Sequence, residues 1–383
     1  MMAWPFVELG KLISHRKEFI EISPDVTYAR CRVQTSARGI VLRDRVAGSE
    51  IKTKKQQVCR TGEFLVAEID AKMGGYGIVP PDLDGAIVSS HYFLFEVDER
   101  RLMRSFLEWY SRTPAFLEQI AARGSTNYAS VRPANVLGYQ VPLPSLDEQR
   151  RVVEKLDRVA ALVDERRNAI EAAERETQAL LLKAFQRAID GAPLRPMAEV
   201  APLVRRPVEI DSDAAYPELG VRSFGRGTFH KPELPGVEVG NKKLFRICSG
   251  DLVFNIVFAW EGAVAVAQPE DDGRVGSHRF LTCVPAPDTA TVEFLRFYFS
   301  TSEGLQKLGE ASPGGAGRNR TLGLKKLESL RVPVPPIGRQ HWFDRLQAKA
   351  HEARTIRANT AQDVEALIPA MLHEIFDGGA KAA

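Results

Sequence analysis

Apolar side chains and one threonine recur at steps of three, four or seven through residues 141–191: Val152, Leu156, Val159, Val163, Ile170, Ala173, Thr177, Leu181 and Ala184. The opposite face carries Arg151, Glu154, Lys155, Asp164, Glu165, Arg167, Glu174 and Arg175, and no proline or glycine interrupts the run before Gly191. The pattern predicts one long helix with a narrow apolar seam. Its start is marked twice. Val141-Pro142-Leu143-Pro144 forces extended backbone, and Ser145 stands three residues before Glu148, the spacing of a capping box.

A covering partner lies at the other end of the chain. Val332-Pro333-Val334-Pro335 repeats Val141-Pro142-Leu143-Pro144, Gln340 repeats Gln149, and the run ending at Phe376 answers the run ending at Phe185; 332 minus 141, 340 minus 149 and 376 minus 185 each give 191. This second stretch has a seam of its own through Trp342, Leu346, Ala350, Ala353, Thr360, Val364, Leu367 and Met371. Two such helices can bury their stripes against each other. Pro369 is expected to kink the second, since it lacks a backbone donor and crowds the preceding turn.

Residues 1–140 read as short strands and turns ending in a helical piece. Gly62–Ile69, entered from a turn, and Ala86–Phe95 are strand-like, Met73-Gly74-Gly75-Tyr76-Gly77 is a glycine-rich corner, and Leu102, Phe106, Leu107, Tyr110 and Leu117 have helical spacing. Residues 192–331 repeat this segment at a shift of 188: Pro5 matches Pro193, Tyr28 Tyr216, Gly62 Gly250, Gly74 Gly262, Phe106 Phe294 and Tyr110 Tyr298. The chain is therefore a tandem duplication of one globular α+β domain plus one long helix. The expected organisation is a first domain 1–140, a first spacer helix 141–191, a second domain 192–331 and a second spacer helix 332–379. The helices pair as an antiparallel coiled coil and give the repeat pseudo-two-fold symmetry. Val152, Leu156, Val163, Ile170 and Leu181 should meet Trp342, Leu346, Val364, Leu367 and Met371 across that seam.

Composition changes this picture little. A length of 383 residues suits two or more domains. Lys plus Arg number 52 against 49 Asp plus Glu, so any basic surface must be local. Cys31, Cys59, Cys248 and Cys283 lie far apart with no CxxC pair, which indicates neither a zinc site nor a disulfide framework and suits a reducing cytoplasm. No run has signal-peptide or membrane-span character, so neither secretion nor membrane insertion is expected.

Enzyme signatures are missing. Neither GxxxxGK[ST] nor GxGxxG occurs, and Phe224-Gly225-Arg226-Gly227 reads as a turn facing Ser36-Ala37-Arg38-Gly39 in the other copy. His373-Glu374 lacks the second histidine of HExxH. Glu68, Asp70 and Lys72 could suggest a nuclease cluster, but the second copy places Ile256, Phe258 and Trp260 there. No catalytic residue, metal site or resident cofactor is expected. Binding features recur instead. Lys52, Lys54, Lys55 and Gln56 form a basic turn answered by Asn241, Lys242 and Lys243. The loops before the long helices offer Asn127, Tyr128 and Arg132 in one copy and Arg318, Asn319 and Arg320 in the other. With Arg38, Lys72, Tyr76, Arg226 and Arg279 these are the candidate DNA contacts, since Lys and Arg neutralise phosphates while Arg, Asn and Gln can bond base edges.

The segment Pro142-Leu143-Pro144-Ser145-Leu146-Asp147-Glu148-Gln149-Arg150, the helix ending Leu181-Leu182-Lys183-Ala184-Phe185 and the degenerate second copy resemble the specificity subunit of type I restriction-modification systems. Arg339 departs from the pattern by replacing an acidic residue in the second copy. The resemblance implies two target-recognition domains that read the halves of a split double-stranded DNA site through the major groove. It implies as partners two adenine-specific methyltransferase subunits and motor-nuclease subunits, with S-adenosylmethionine, ATP and Mg on those partners only. A helix-mediated protein–protein scaffold without DNA specificity is the alternative; neutralising Lys54, Lys55, Lys242 and Lys243 would then leave function intact.

Overall fold

The computed structural model describes residues 4–122, 131–314 and 320–377. They form two compact units, one holding residues up to 170 and from 358 onward, the other residues 171–357. Each unit thus contains one globular domain, the start of one long helix and the end of the other.

In the first unit, strands Ile13–Arg16, Tyr92–Val97, Phe64–Ala67 and Tyr76–Ile78 form a four-stranded sheet in that spatial order. A five-stranded sheet follows the order Phe19–Glu21, Lys55–Val58, Ile87–Val88, Thr27–Val33, Ile40–Ala47. Helices Arg104–Ser111 and Pro114–Ala122 supply Phe106, Tyr110 and Phe116, which are buried with Phe64 and Tyr76 of the first sheet. Phe6–Glu8 pairs with Gln140–Pro142, so the extended proline-rich segment closes the domain before the long helix leaves it.

The second unit repeats this plan. Strands Leu203–Val204, Phe280–Cys283, Leu252–Asn255 and Val264–Val266 form one sheet, and Leu244–Arg246, Val275–Ser277, Ala215–Val221 and Thr228–Pro235 the other. One strand is lost for a chemical reason. Pro207, the counterpart of Phe19, makes only an isolated bridge to Phe245, since proline cannot donate to a ladder.

The long helices span Leu146–Ile189 and Ile337–Leu372. The first begins where expected, with the Glu148 N–H donating to Ser145 Oγ at 3.3 Å. Its seam is also as expected: Val152, Leu156, Val163 and Leu181 are buried and Ile170 half-buried. The second seam needs correction. Trp342 and Leu367 are exposed, whereas Phe343 is fully buried and Leu346, Ala350, Val364, Ile368 and Met371 are half-buried. The reason is the domain core: Phe343 packs edge-to-face among Phe185, Phe294 and Phe297 at centroid distances of 5.2, 6.1 and 4.8 Å, which turns its neighbour Trp342 outward. The helix continues through Pro369, and its chain then widens into a π-helical turn, His373–Asp377.

The helices run antiparallel within each unit. In the second unit Glu174 pairs with Arg354 at 2.7 Å and Arg357 at 3.3 Å, while Gln178, further along, accepts from Arg354 at 2.9 Å. In the first unit Arg167 lies 3.6 Å from Glu365. The repeated glutamine has a structural task. Gln149 is fully buried; its Oε1 accepts the Met103 N–H at 2.8 Å and its Nε2 donates to Arg101 O at 2.9 Å and Pro144 O at 3.0 Å. Gln340 makes the equivalent bonds to Thr291, Thr289 and Pro335 at 3.0, 2.9 and 2.8 Å.

Candidate nucleic-acid interface

The hairpin formed by Thr27–Val33 and Ile40–Ala47 turns at Ser36 and Ala37, both with positive φ, 61° and 51°. Such backbone is rare without glycine, and here it is held from outside. The Ser36 N–H donates to Met73 O at 2.5 Å and the Ala37 N–H to Gly74 O at 2.9 Å. Gly74 is required at this contact: its φ is +78° and an added Cβ would lie 2.6 Å from Ala37 N. The docking brings Arg38 beside the 3-10 helix Asp70–Met73, which carries Lys72.

Two further segments join this corner. The Glu68 N–H donates to His91 O at 2.8 Å, and Glu68 O accepts from Val131 N–H at 2.9 Å. The buried Glu68 carboxylate then meets Arg132 at 2.8 Å and His91 Nδ1 at 2.7 Å, both of whose side chains are largely exposed. Ile69 and Met73 are exposed between these groups. A corner with cations, one acceptor and two uncovered apolar side chains can meet both phosphates and base edges.

The second domain builds the same corner with different side chains. Phe224 and Gly225 occupy the turn at φ 61° and 64°, and their N–H groups donate to Glu261 O at 2.8 Å and Gly262 O at 3.0 Å. The Ile256 N–H donates to Arg279 O at 2.9 Å, and Ile256 O accepts from Leu322 N–H at 2.9 Å. Arg226 lies over the Phe224 ring at 5.7 Å and Arg320 over Trp260 at 5.2 Å. The returning strand is anchored from below. The buried Asp271 carboxylate accepts from Thr228 Oγ1 at 2.8 Å, from His230 Nε2 at 2.9 Å and from the Gln268 N–H at 2.9 Å. Burial pushes the pKa of Asp271 upward, but these bonds outweigh it and hold the acid below the ordinary carboxylate value.

Of the residues singled out from sequence, the structure therefore gathers Arg38, Lys72 and Arg132 in one domain and Arg226, Arg279 and Arg320 in the other. Lys52, Lys54 and Lys55 are exposed but lie toward the opposite end of the hairpin, where Thr27 pairs with Ala47 and Glu21 with Lys55. Lys54 donates to Gly48 O at 2.8 Å and Lys55 sits over the Phe19 ring at 5.1 Å. Asn241, Lys242 and Lys243, also exposed, follow the far end of the equivalent hairpin, where Ala215 pairs with Pro235. Two assignments are corrected. Tyr76 is buried against Phe64 and Phe116 with its hydroxyl donating to Ser111 O at 3.0 Å, because its strand packs beneath the helical layer. Gln56 is buried and donates to Thr53 O at 2.7 Å, so its amide serves the turn. Asn127, Tyr128, Arg318 and Asn319 lie outside the described residues.

Sequence reasoning missed His91, Phe224 as a ring-bearing turn residue, and Trp260. Phe224 and Trp260 stand one and two residues before Gly225 and Gly262, which points to a loop but not to which loops converge, whereas His91 has no glycine beside it to mark it. Among the described residues no cluster of His, Cys, Asp or Glu could hold a metal ion, and no helix is long and apolar enough to cross a membrane.

No family model and no curated relative matches the chain. Solved structures do. A chain from work on complex assembly and conformational transition of the type I R-M system aligns with 98% of this chain and 97% of its own at 19% identity and a TM-score of 0.69. The HsdS subunit from Thermoanaerobacter tengcongensis aligns over 98% and 97% at 20% identity and a TM-score of 0.58. The chain has their fold, two sheet-rich domains and two long helices, over its whole length.

Proposed function

We propose that this chain is the DNA-specificity subunit of a type I restriction-modification complex. Each domain reads one half of a split duplex target through the major groove, and the two long helices set the spacing of the halves and dock two adenine-specific methyltransferase subunits. S-adenosylmethionine binding, base flipping and methyl transfer would belong to those partners. ATP- and Mg-dependent motor-nuclease subunits would join for cleavage, all in the cytoplasm.

One observation carries the reading: two copies of one domain present a cation-rich corner at equivalent positions, each copy joined to the start of one long helix and the end of the other. Lys and Arg at such a corner supply affinity by displacing counterions from phosphates, and side chains that differ between the copies supply two different preferences. Methylation sequencing of a strain carrying the operon tests it. A split adenine motif should be modified and should disappear when this gene is deleted; an unchanged methylation pattern overturns the proposal.

A further inference from the structure

We propose that the corner of the second domain is a guanine-reading site in which Arg226 and Arg320 are held by the rings of Phe224 and Trp260. This rests on the DNA-reading function proposed above and adds which bases the second half-site contains.

Phe224 motivates the inference. It sits at φ 61° and is 71% exposed. A bulky residue in this backbone region is disfavoured and persists only where something compensates. Ser36 occupies the equivalent turn at the same φ, so loop docking imposes the conformation in both copies and does not require a ring. The exposed ring lies under the Arg226 guanidinium, 5.7 Å from its centroid. Trp260 supports Arg320 in the same way at 5.2 Å, and the turns that carry the two rings are joined by the bond from the Phe224 N–H to Glu261 O at 2.8 Å.

A guanidinium resting on a ring keeps its in-plane N–H fork free. Fewer rotamers remain to be lost when that fork binds. Neither Arg226 nor Arg320 makes an ion pair among the described residues, whereas Arg132 of the first domain is already engaged by Glu68. The free fork matches the paired acceptors of guanine, O6 and N7, in the major groove.

Selection of the full chain on a randomised duplex library tests this whatever the target sequence is. The wild type should recover a split motif with at least one fixed guanine in one half. Arg226→Ala and Arg320→Ala should each relax a guanine position in that half by about tenfold or more and leave the other half intact, which also shows that the variant is folded. Arg226→Lys should lose the same preference, and Phe224→Ala should weaken the position that Arg226 governs while Phe224→Tyr retains it. A half-site without guanine, or variants that lower binding equally for every sequence, would overturn the inference while leaving the specificity function standing. Failure of the wild type to recover any split motif would overturn both.

Discussion

Gln149 and Gln340 each spend a buried side-chain amide on three backbone groups that join the helix start to its domain. Leucine at either position would leave those groups unpaired, so Gln149→Leu and Gln340→Leu should each cost about 2 kcal/mol or more. Urea unfolding of the full chain checks this; an unshifted midpoint would refute the clamp. Asp271 makes a pH-dependent prediction. Its folded pKa is depressed, so its stabilising contribution is complete above the ordinary carboxylate range and is lost as pH falls through the lower folded value. Asp271→Asn should remove that acid-sensitive increment, and thermal unfolding along an acidic pH series would show a flatter dependence. At this scale sequence was least informative. Tyr76 in a glycine-rich corner and Gln56 in a basic turn both look accessible along the chain, yet tertiary packing turns both inward.

The long helices were legible as elements because periodicity, cap and punctuation agreed. The first seam followed the pattern throughout. In the second, Trp342 and Phe343 are adjacent aromatics, and a one-residue offset rotates the seam by about 100°. Only the cluster around Phe185 decides between them. Phe343→Ala should therefore destabilise by about 3–5 kcal/mol, whereas Trp342→Ala at the exposed position should cost less than about 1 kcal/mol. Reversal of that order in chemical denaturation would restore the seam read from sequence. The hairpin corners were half legible. Repetition identified Arg38 and Arg226 as turn residues, but their meeting with Lys72, Arg132 and Arg320 depends on backbone bonds between segments far apart in the chain.

Duplication at constant shifts of 188 and 191 was the most legible feature of the whole molecule, since spacing survives where side chains diverge. It carried the fold class and the equivalence of the two domains. It could not carry the chemistry of recognition, because the equivalent corners hold Glu68, His91 and Arg132 in one copy and Ile256, Arg279 and Gly323 in the other. A helix of 44 residues is about 66 Å long at 1.5 Å per residue. Half-sites on one face of DNA repeat about every 34 Å, so the proposed spacer is long enough to define a gap. Binding of the full chain to duplexes that carry both half-sites, with the gap lengthened in single base-pair steps, is the most direct measurement. Readers at a set spacing predict affinity for one gap and its loss when the halves are rotated by about half a helical turn, roughly five base pairs. Equal affinity at every gap would contradict it.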